Sequence, residues 1–511
     1  MKNIKISMLV LLMTYGCVGQ NINNNPLPIP SVTPSIKPSP IVTPSPSVIP
    51  SVISSPVTTP VPTPIASITP TPSSTPSPTL SPIQIKNLSF GINEPFIRIT
   101  NKDITDYQKE SSELKDDLNA INAKAFIIDL NLELVDFEST KEGFLWTVYD
   151  NILEKFKDRQ PEIYFRLNYR DVLGSNNINQ RAKFLDFIKK AIERYKDEYN
   201  ISWIIGDRIN DSSSVNVSQK EFMNFLTLCV NNIRVFTPNA KIFLGSLVQS
   251  EIFAKNNYFT ADNLLSYINL GAGKMCDGFI FEIYSLDITN KEQVTSSIFI
   301  NTNYELIGKY YQVINDVLKR KNITNKQLFL ISSTFGGEIV DQVKQSEEDQ
   351  ANDLFRRIIY SVSVGFDKFF LPQLYDNDAM LPSDFYKRIG IQIKDSGDNR
   401  KKISYWMYKF ISDKLNNTKF TGYINNLPNN IKGFIFESDS KRYYILWNEI
   451  KTYTGTINLS INDTAGKIYF APTEISKLGT SLDFTTQNNT KNVNVDFYSN
   501  PLLPRIIEVN K

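Results

Sequence analysis

Between residues 84 and 415, eight short apolar runs alternate with longer amphipathic stretches, and few folds can absorb that rhythm. The runs are Leu88–Ile92, Ala125–Leu130, Ile163–Asn168, Ser202–Gly206, Ile242–Ser246, Gly278–Ile283, Leu328–Ser332 and Phe369–Leu374. Each is too short for an ordinary helix and is rich in Ile, Phe, Val or Leu, as a strand buried on both faces must be. Between them the period becomes helical. Arg181–Tyr199 is clearest, with Phe184, Phe187, Ile188, Ala191, Ile192 and Tyr195 on one face. Similar patterns cover Trp146–Lys157, Gln219–Val235, Asn303–Lys319, Ser346–Val364 and Ile403–Leu415. Glu347-Glu348-Asp349 reads as an acidic first helical turn.

This alternation predicts an α/β fold, a (β/α)8 TIM barrel over 84–416. The rival is an open doubly wound sheet, which needs a Gly-rich phosphate turn after its first strand, and none is present. Gly271-Ala272-Gly273-Lys274 lacks both the first glycine of a phosphate loop and the Ser or Thr after the lysine. Beyond Thr418 the helical period stops. Gly433–Glu437, Tyr443–Asn448, Thr454–Ile461, Lys467–Ala471, Val493–Tyr498 and Arg505–Val509 read as short strands, predicting a small antiparallel β-sandwich over 417–511. Its role is structural, or that of an accessory carbohydrate module.

The other end of the chain has a different composition. Met1–Lys5 is basic and Ile6–Met13 is apolar but too short to span a bilayer, the pattern of an export signal. Residues 18–83 are dominated by Pro, Ser and Thr, and Lys37 is the only charge between Asn21 and Pro82. Proline removes backbone donors, so a disordered, extended linker is expected. At about 3.1 Å per residue it would reach at most on the order of 190 Å, enough for a stalk.

No histidine occurs among the 511 residues, which excludes Ser-His-Asp and Cys-His triads and the HExxH zinc site. Acid–base chemistry would fall to carboxylates, Lys or Tyr. A net charge of +2 without a Lys/Arg run gives no footprint for nucleic acid. Cys17, Cys229 and Cys276 are too few for a disulfide framework or a zinc site. Cys229 and Cys276 are expected to be buried thiols, with a disulfide between them as the alternative. No metal and no cofactor is expected.

Several stretches resemble the retaining glycoside hydrolases of the large (β/α)8 clan, family 39-like xylosidases and iduronidases most of all. They are Ala125–Asp136 on to Trp146, Phe184–Asp211, Thr237-Pro238-Asn239-Ala240-Lys241, Asp277-Gly278 and Ser346–Gly365. Gly16-Cys17 likewise resembles a bacterial lipobox, with Thr14 where that pattern prefers leucine. It implies lipidation of Cys17 as the new N-terminus of 1–17, and attachment to a membrane of the bacterial cell envelope.

The clan's chemistry takes two carboxylates about 5–5.5 Å apart, one an acid/base and one a nucleophile. The resemblance puts the acid/base in an Asn-Glu pair after strand four, where this chain has Asp207-Arg208. It puts the nucleophile in a Thr-Glu pair after strand seven, where this chain has Ser333. A sugar-contacting histidine often found on strand six is Glu282 here. A guanidinium cannot donate a proton at neutral pH, and a serine without a base is a poor nucleophile. These departures imply a barrel that has lost hydrolysis and binds a glycan instead. Arg208 would favour an acidic one.

Two alternatives stay open. An active glycosidase would use relocated carboxylates drawn from Asp207, Glu282 and Glu338; a surface scaffold would bind protein. The bland reading makes Asp207 and Glu282 partners of Arg208 and Glu338 a solvated loop charge. Tyr169, Tyr284, Phe335 and Tyr375 are candidate stacking platforms for sugar rings, and Asp376-Asn377-Asp378 reads as a turn.

Overall fold

The computed structural model describes residues 88–93, 115–130, 146–158, 160–168, 178–197, 199–211, 217–250, 260–284, 304–333, 337–339, 343–376, 389–394, 399–450, 455–461, 465–473, 479–485, 492–497 and 502–511. Cys17, the 18–83 segment, Tyr169 and Phe335 lie outside them, as do the side chains of Tyr284 and Glu338.

The first seven strands are β1 (Phe90–Asn93), β2 (Ala125–Leu130), β3 (Glu162–Leu167), β4 (Ile201–Ile205), β5 (Ile242–Ser250), β6 (Gly278–Tyr284) and β7 (Gln327–Ile331). A small antiparallel pair follows, β8 (Gly337–Ile339) and β9 (Val343–Gln345), and then β10 (Lys368–Leu371). Strands β1 to β7 and β10 close into a parallel barrel in which β1 pairs with both β2 and β10. The expected α/β barrel is therefore the observed one. The expected helices all form, as Thr147–Glu154, Ile178–Tyr195, Gln219–Phe236, Glu305–Arg320, Glu347–Val364 and Ile403–Leu415. Ser346 caps Glu347–Val364, its hydroxyl accepting from the Asp349 amide at 3.0 Å, and the three acids fill the first turn as predicted. A further helix, Thr260–Asn269, stands between β5 and β6; with only 10 residues its apolar face is too brief to stand out in the sequence.

Inside the barrel the lower half is apolar. Ala125, Ile127, Tyr164, Ile204, Phe243, Ile280, Phe329, Ile331 and Phe370 form one buried cluster. The Tyr164 ring meets Phe243, Phe329 and Phe370 edge-on at 5.6, 5.4 and 5.8 Å. Below it Tyr164 donates to Glu162 at 2.7 Å, and Lys368 pairs with Glu162 at 2.6 Å. Burial alone, the largest influence, would raise the Glu162 carboxyl. The Lys368 charge and the hydrogen bonds from Lys368 and Tyr164 outweigh it and hold the pKa below its ordinary value.

After the hairpin β11 (Gln392–Lys394) and β12 (Asn399–Lys401), and the last helix, come β13 (Lys419–Tyr423), β14 (Ile431–Glu437), β15 (Lys441–Asn448), β16 (Thr456–Ser460), β17 (Ala465–Phe470), β18 (Ser481–Thr485), β19 (Asn492–Asp496) and β20 (Arg505–Asn510). They make a six-stranded sheet, β13-β14-β15-β20-β17-β18, and a two-stranded one, β16-β19. Strands β13 and β18, KFTGY and SLDFT, are too polar to stand out in the sequence. Period-2 alternation gives the larger sheet two apolar faces. Phe434, Phe436, Tyr443, Ile445, Trp447 and Ile506 join the core shared with the barrel. Ile431, Tyr444, Leu446, Ile507 and Val509 pack on Ile457, Leu459, Val493 and Val495 of the small sheet. The expected sandwich is thus present.

Barrel and sandwich lie in one compact unit. Trp447 is completely buried at their junction, stacked on Phe434 at 4.6 Å and edge-on to Tyr304 at 5.7 Å and Phe355 at 6.2 Å. Beside it the Arg356 guanidinium donates to the carbonyls of Asn448 and Leu502, both at 3.2 Å. Cys229 and Cys276 are free and buried. Burial raises both thiols, Cys276 to about 12, so neither is a ready nucleophile.

Trp447→Ala should cost about 3–5 kcal/mol in chemical denaturation. Val235→Ala, at a position 73% exposed, should change stability by no more than about 0.5 kcal/mol. A cost for Trp447→Ala as small as that of Val235→Ala would show that the junction does not stabilise the fold.

Candidate functional site

Above the apolar half, the C-terminal ends of the strands carry an ionic network. Side chains alternate along a strand, so Ile127 and Tyr164, pointing into the barrel, predict the same for Asp129 and Arg166 two residues on. The two stand in register across β2 and β3. The Arg166 guanidinium grips Asp129 with both arms, Nε on Oδ1 and the second nitrogen on Oδ2 at 2.9 Å. Its remaining nitrogen donates to Asn93 Oδ1 of β1 and to Asp207 Oδ1 beyond β4, both at 3.0 Å. Asn93 in turn donates to the Pro372 carbonyl past β10 at 3.1 Å. The Arg166 side chain is only 2% exposed, against 23% for Asp129 and 12% for Asp207.

The chain turns sharply after β4. Gly206 has φ +92°, and a Cβ there would lie 2.5 Å from Ile209 and 2.7 Å from Phe222. Arg208 follows with φ +47°, a left-handed conformation that costs a non-glycine residue about 1–2 kcal/mol. Neighbouring bonds hold it there. Its N–H donates to Ser246 Oγ at 2.8 Å, its carbonyl accepts from Asp211 at 2.9 Å, and Tyr267 donates to the Ile209 carbonyl at 3.0 Å. Asn210 exchanges two hydrogen bonds with Val248 of β5, at 2.9 and 2.7 Å.

Strand β5 carries a bulge between Leu244 and Ser246. Phe243 faces inward, so strict alternation would send Gly245 and Leu247 in after it. The bulge reverses this: Ser246 and Val248 pair with the inward-facing Ile280 and Glu282 of β6, while Leu247 joins the outer core. A Cβ on Gly245 would strike the Gly206 carbonyl at 2.2 Å, so only glycine fits. The redirected Ser246 hydroxyl, on the strand beside that of Glu282, donates to Asp207 Oδ1 at 3.0 Å.

Glu282 is the most deeply set carboxylate of the group, with 2% of its side chain exposed, and it accepts from Arg208 Nε at 3.1 Å. Burial is the largest influence and raises its pKa. Arg208 lowers it, Asp207 raises it, and Ser246 and Arg166 lower it, leaving the net displacement upward. Arg208 is 19% exposed and lies toward the solvent side of the pair.

The sequence-predicted residues fall as follows. Asp207, Arg208 and Glu282 do meet at the mouth. Glu282 is the Arg208 partner that the bland reading expected, and Asp207 is engaged by Arg166 and Ser246. Ser333, just past β7, is 3% exposed and its hydroxyl donates to the Ile389 carbonyl at 3.2 Å. Glu338 belongs to strand β8, in register with Lys344, and not to an irregular loop. Tyr284 ends β6. Tyr375 is a correction: it is 7% exposed, packed in the outer core, and its hydroxyl donates to Asp117 at 3.1 Å, so its ring offers no stacking face. Asp376 is a buried partner of Lys402 at 2.7 Å, while Asn377 and Asp378 lie outside the described residues. Asn93, Asp129, Arg166 and Ser246 were missed. The signal for two of them was an ionisable residue, of opposite sign in each, one position before the end of a largely apolar strand. Among the described residues no group of three or more His, Cys, Asp or Glu side chains could hold a metal ion.

No family model and no curated protein matches this chain. Solved structures do. A family 39 glycoside hydrolase from the gut symbiont Bacteroides cellulosilyticus WH2 is similar over 83% of this chain and 81% of its own, with a TM-score of 0.54 and 13% identity. A glucosidase from Croceicoccus marinus covers 84% of this chain and 98% of its own, with a TM-score of 0.56 and 12% identity. A family 51 α-L-arabinofuranosidase from Bifidobacterium longum covers 82% and 95%, with a TM-score of 0.55 and 11% identity. The fold is that of the glycoside hydrolase barrels. At such identities the likeness is one of fold, and the chemistry has to be read from the side chains.

Those side chains make a definite demand. Removing one partner of a buried ion pair leaves the other charge unanswered, at about 3–5 kcal/mol. Arg166→Met should therefore lose about that much in chemical denaturation, and Asp129→Asn in the Arg166→Met background should recover part of it. Additive losses would mean that Arg166 and Asp129 are not coupled.

Proposed function

We propose that this chain is an exported, lipid-anchored glycan-binding protein, built on a glycoside hydrolase-type barrel without hydrolytic activity. The observation that carries the reading is the Arg208–Glu282 pair at 3.1 Å. A guanidinium stands immediately after β4, where the resemblance calls for the acid/base glutamate, and it is salt-bridged inside the barrel mouth. The buried Ser333 hydroxyl, engaged with a backbone carbonyl just past β7, supports the same conclusion for the nucleophile. Asp129, Asp207 and Arg208 remain partly exposed around the mouth, and such groups suit the hydroxyls and the acidic substituents of a sugar. An acidic glycan is the favoured ligand because Arg208 is a fixed cation.

A second reading, hydrolysis by relocated carboxylates, has one observation in its favour. Asp207 and Glu282 lie together at the mouth, joined through Arg208, Ser246 and Arg166, and burial raises the Glu282 carboxyl above its ordinary value. The two readings separate in one experiment. The full chain is incubated at high concentration with polysaccharides and aryl glycosides, released sugar is read by mass spectrometry, and binding is measured on the same panel. The expected result is binding of acidic saccharides without release, with the binding lost in Arg208→Ala. Turnover that disappears in both Asp207→Asn and Glu282→Gln would replace this reading with the second one.

The anchor and stalk rest on the sequence of residues 1–83: the lipobox-like Gly16-Cys17 and the proline-rich segment behind it. Among the described residues no helix is long and apolar enough to cross a membrane, so attachment would depend on the lipid. Cells grown with labelled palmitate should yield a labelled, membrane-bound protein, and Cys17→Ser should be unlabelled. An unlabelled wild-type chain would end the anchor proposal.

A further inference from the structure

Among the described residues the mouth holds three carboxylates, Asp129, Asp207 and Glu282, against two guanidinium groups, Arg166 and Arg208. With all five ionised these groups carry one excess negative charge, which works against an anionic ligand. The excess is not spread evenly. Arg166 is committed to Asp129, Asn93 and Asp207 and is almost fully buried. Arg208 is the cation that reaches toward solvent, and its contact with Glu282 is a single Nε bond.

We infer that an anionic sugar substituent is taken up at Arg208 together with one proton on Glu282, the ligand's charge replacing that of the carboxylate. The inference rests on the proposed glycan-binding reading and adds to it a proton that binding must carry.

Four features make the exchange physically direct. The backbone of Arg208 is pinned in its left-handed turn by Ser246 and Asp211, so the side chain can change partner without moving the turn. The Ser246 hydroxyl gives its one proton to Asp207 and accepts from the Arg208 N–H, and its second lone pair remains for a protonated Glu282. A neutral Glu282 therefore has a hydrogen bond waiting inside the barrel. Of the groups around it, Asp207 and burial favour the neutral form, against Arg166 and Ser246, which favour the charged one. Asp207 faces it from the turn after β4, Arg166 from β3 and Ser246 from β5; its register partners, Val248 on β5 and Ile331 on β7, are apolar. Burial already pushes its carboxyl upward while Arg208 holds it down, so withdrawing that cation adds to the push. Finally, a monoanion paired with Arg208 beside a neutral Glu282 leaves the total charge of the mouth unchanged by the exchange.

The sign follows from linkage. Glu282 must be protonated in the complex, so affinity is highest below its pKa in the free protein and falls as pH rises above it, by about tenfold per pH unit for one proton.

The test is isothermal titration calorimetry on the full chain with two probes, an oligogalacturonate and a sulfated oligosaccharide. Measurements run from pH 4.5 to 8 in two buffers of different ionisation enthalpy. The sulfate ester stays ionised throughout, which separates titration of the protein from titration of the ligand. The expected result is uptake of up to one proton per ligand and affinity that falls with rising pH for both probes. Glu282→Gln should bind independently of pH, at least as tightly as the wild type at its acidic limit.

Equal pH dependence in the wild type and Glu282→Gln would overturn the inference, as would binding without proton uptake. The proton count in the wild type needs no variant and stands even if Glu282→Gln fails to fold. Binding by neither probe at any pH would overturn the glycan-binding reading, and this inference with it.

Discussion

A guanidinium inside a barrel is tolerated only when its donors are answered, because an unpaired buried charge costs more than the fold can spare. Arg166 imposes that condition on the whole upper half of this barrel. Its arms fix Asp129 on the neighbouring strand, Asn93 on the first and Asp207 beyond the fourth, so three strand ends are set by one side chain. Asp207 then orients Ser246, Ser246 holds the Arg208 backbone, and Arg208 reaches Glu282. The network runs through strands β1, β2, β3, β5 and β6 and the tight turn that follows β4.

That arrangement needs a rigid base. The aromatic lower layer around Tyr164 provides it, with rings from three further strands set edge-on to the tyrosine. Outside the barrel, the junction at Trp447 and Arg356 ties the helices beside β7 and β10 to the larger C-terminal sheet. A sheet apolar on both faces cannot stand alone. It buries one side on these helices and the other on the small β16–β19 pair, so the sandwich completes the barrel's outer core.

Most of this frame was legible because burial on both faces leaves a coarse mark. The eight apolar runs and the helical periods between them predicted the barrel, and the polar strands β13 and β18 were missed because they leave no such mark. The site was legible in half. Asp207, Arg208, Glu282 and Ser333 stand at strand ends, where a comparison by position finds them. Arg166 and Asp129 sit within EIYFRL and AFIIDL, where one charge looks like an interruption. Only the inward parity shared with Tyr164 and Ile127 shows that the two must meet. Ser246 was beyond reach for another reason: its direction depends on a bulge at Gly245, and a one-residue change of register is invisible to a pattern of period two. Tyr375 failed in the opposite way, since proximity to a strand end does not say which side of the barrel a ring faces.

The same network also bears on which chemistry the mouth supports. Hydrolysis by Asp207 and Glu282 and proton-coupled binding both need a protonated Glu282, so its raised carboxyl does not choose between them. Asp207 does. As nucleophile or base it would have to present an oxygen whose electron pair is available. Its Oδ1 instead accepts from both the Arg166 guanidinium and the Ser246 hydroxyl, at 3.0 Å each. Releasing Asp207 would take one acceptor away from the buried Arg166. Releasing Arg208 from Glu282 only exchanges one anion for another at the solvent edge. These contacts support the proposed reading of a mouth that holds a ligand.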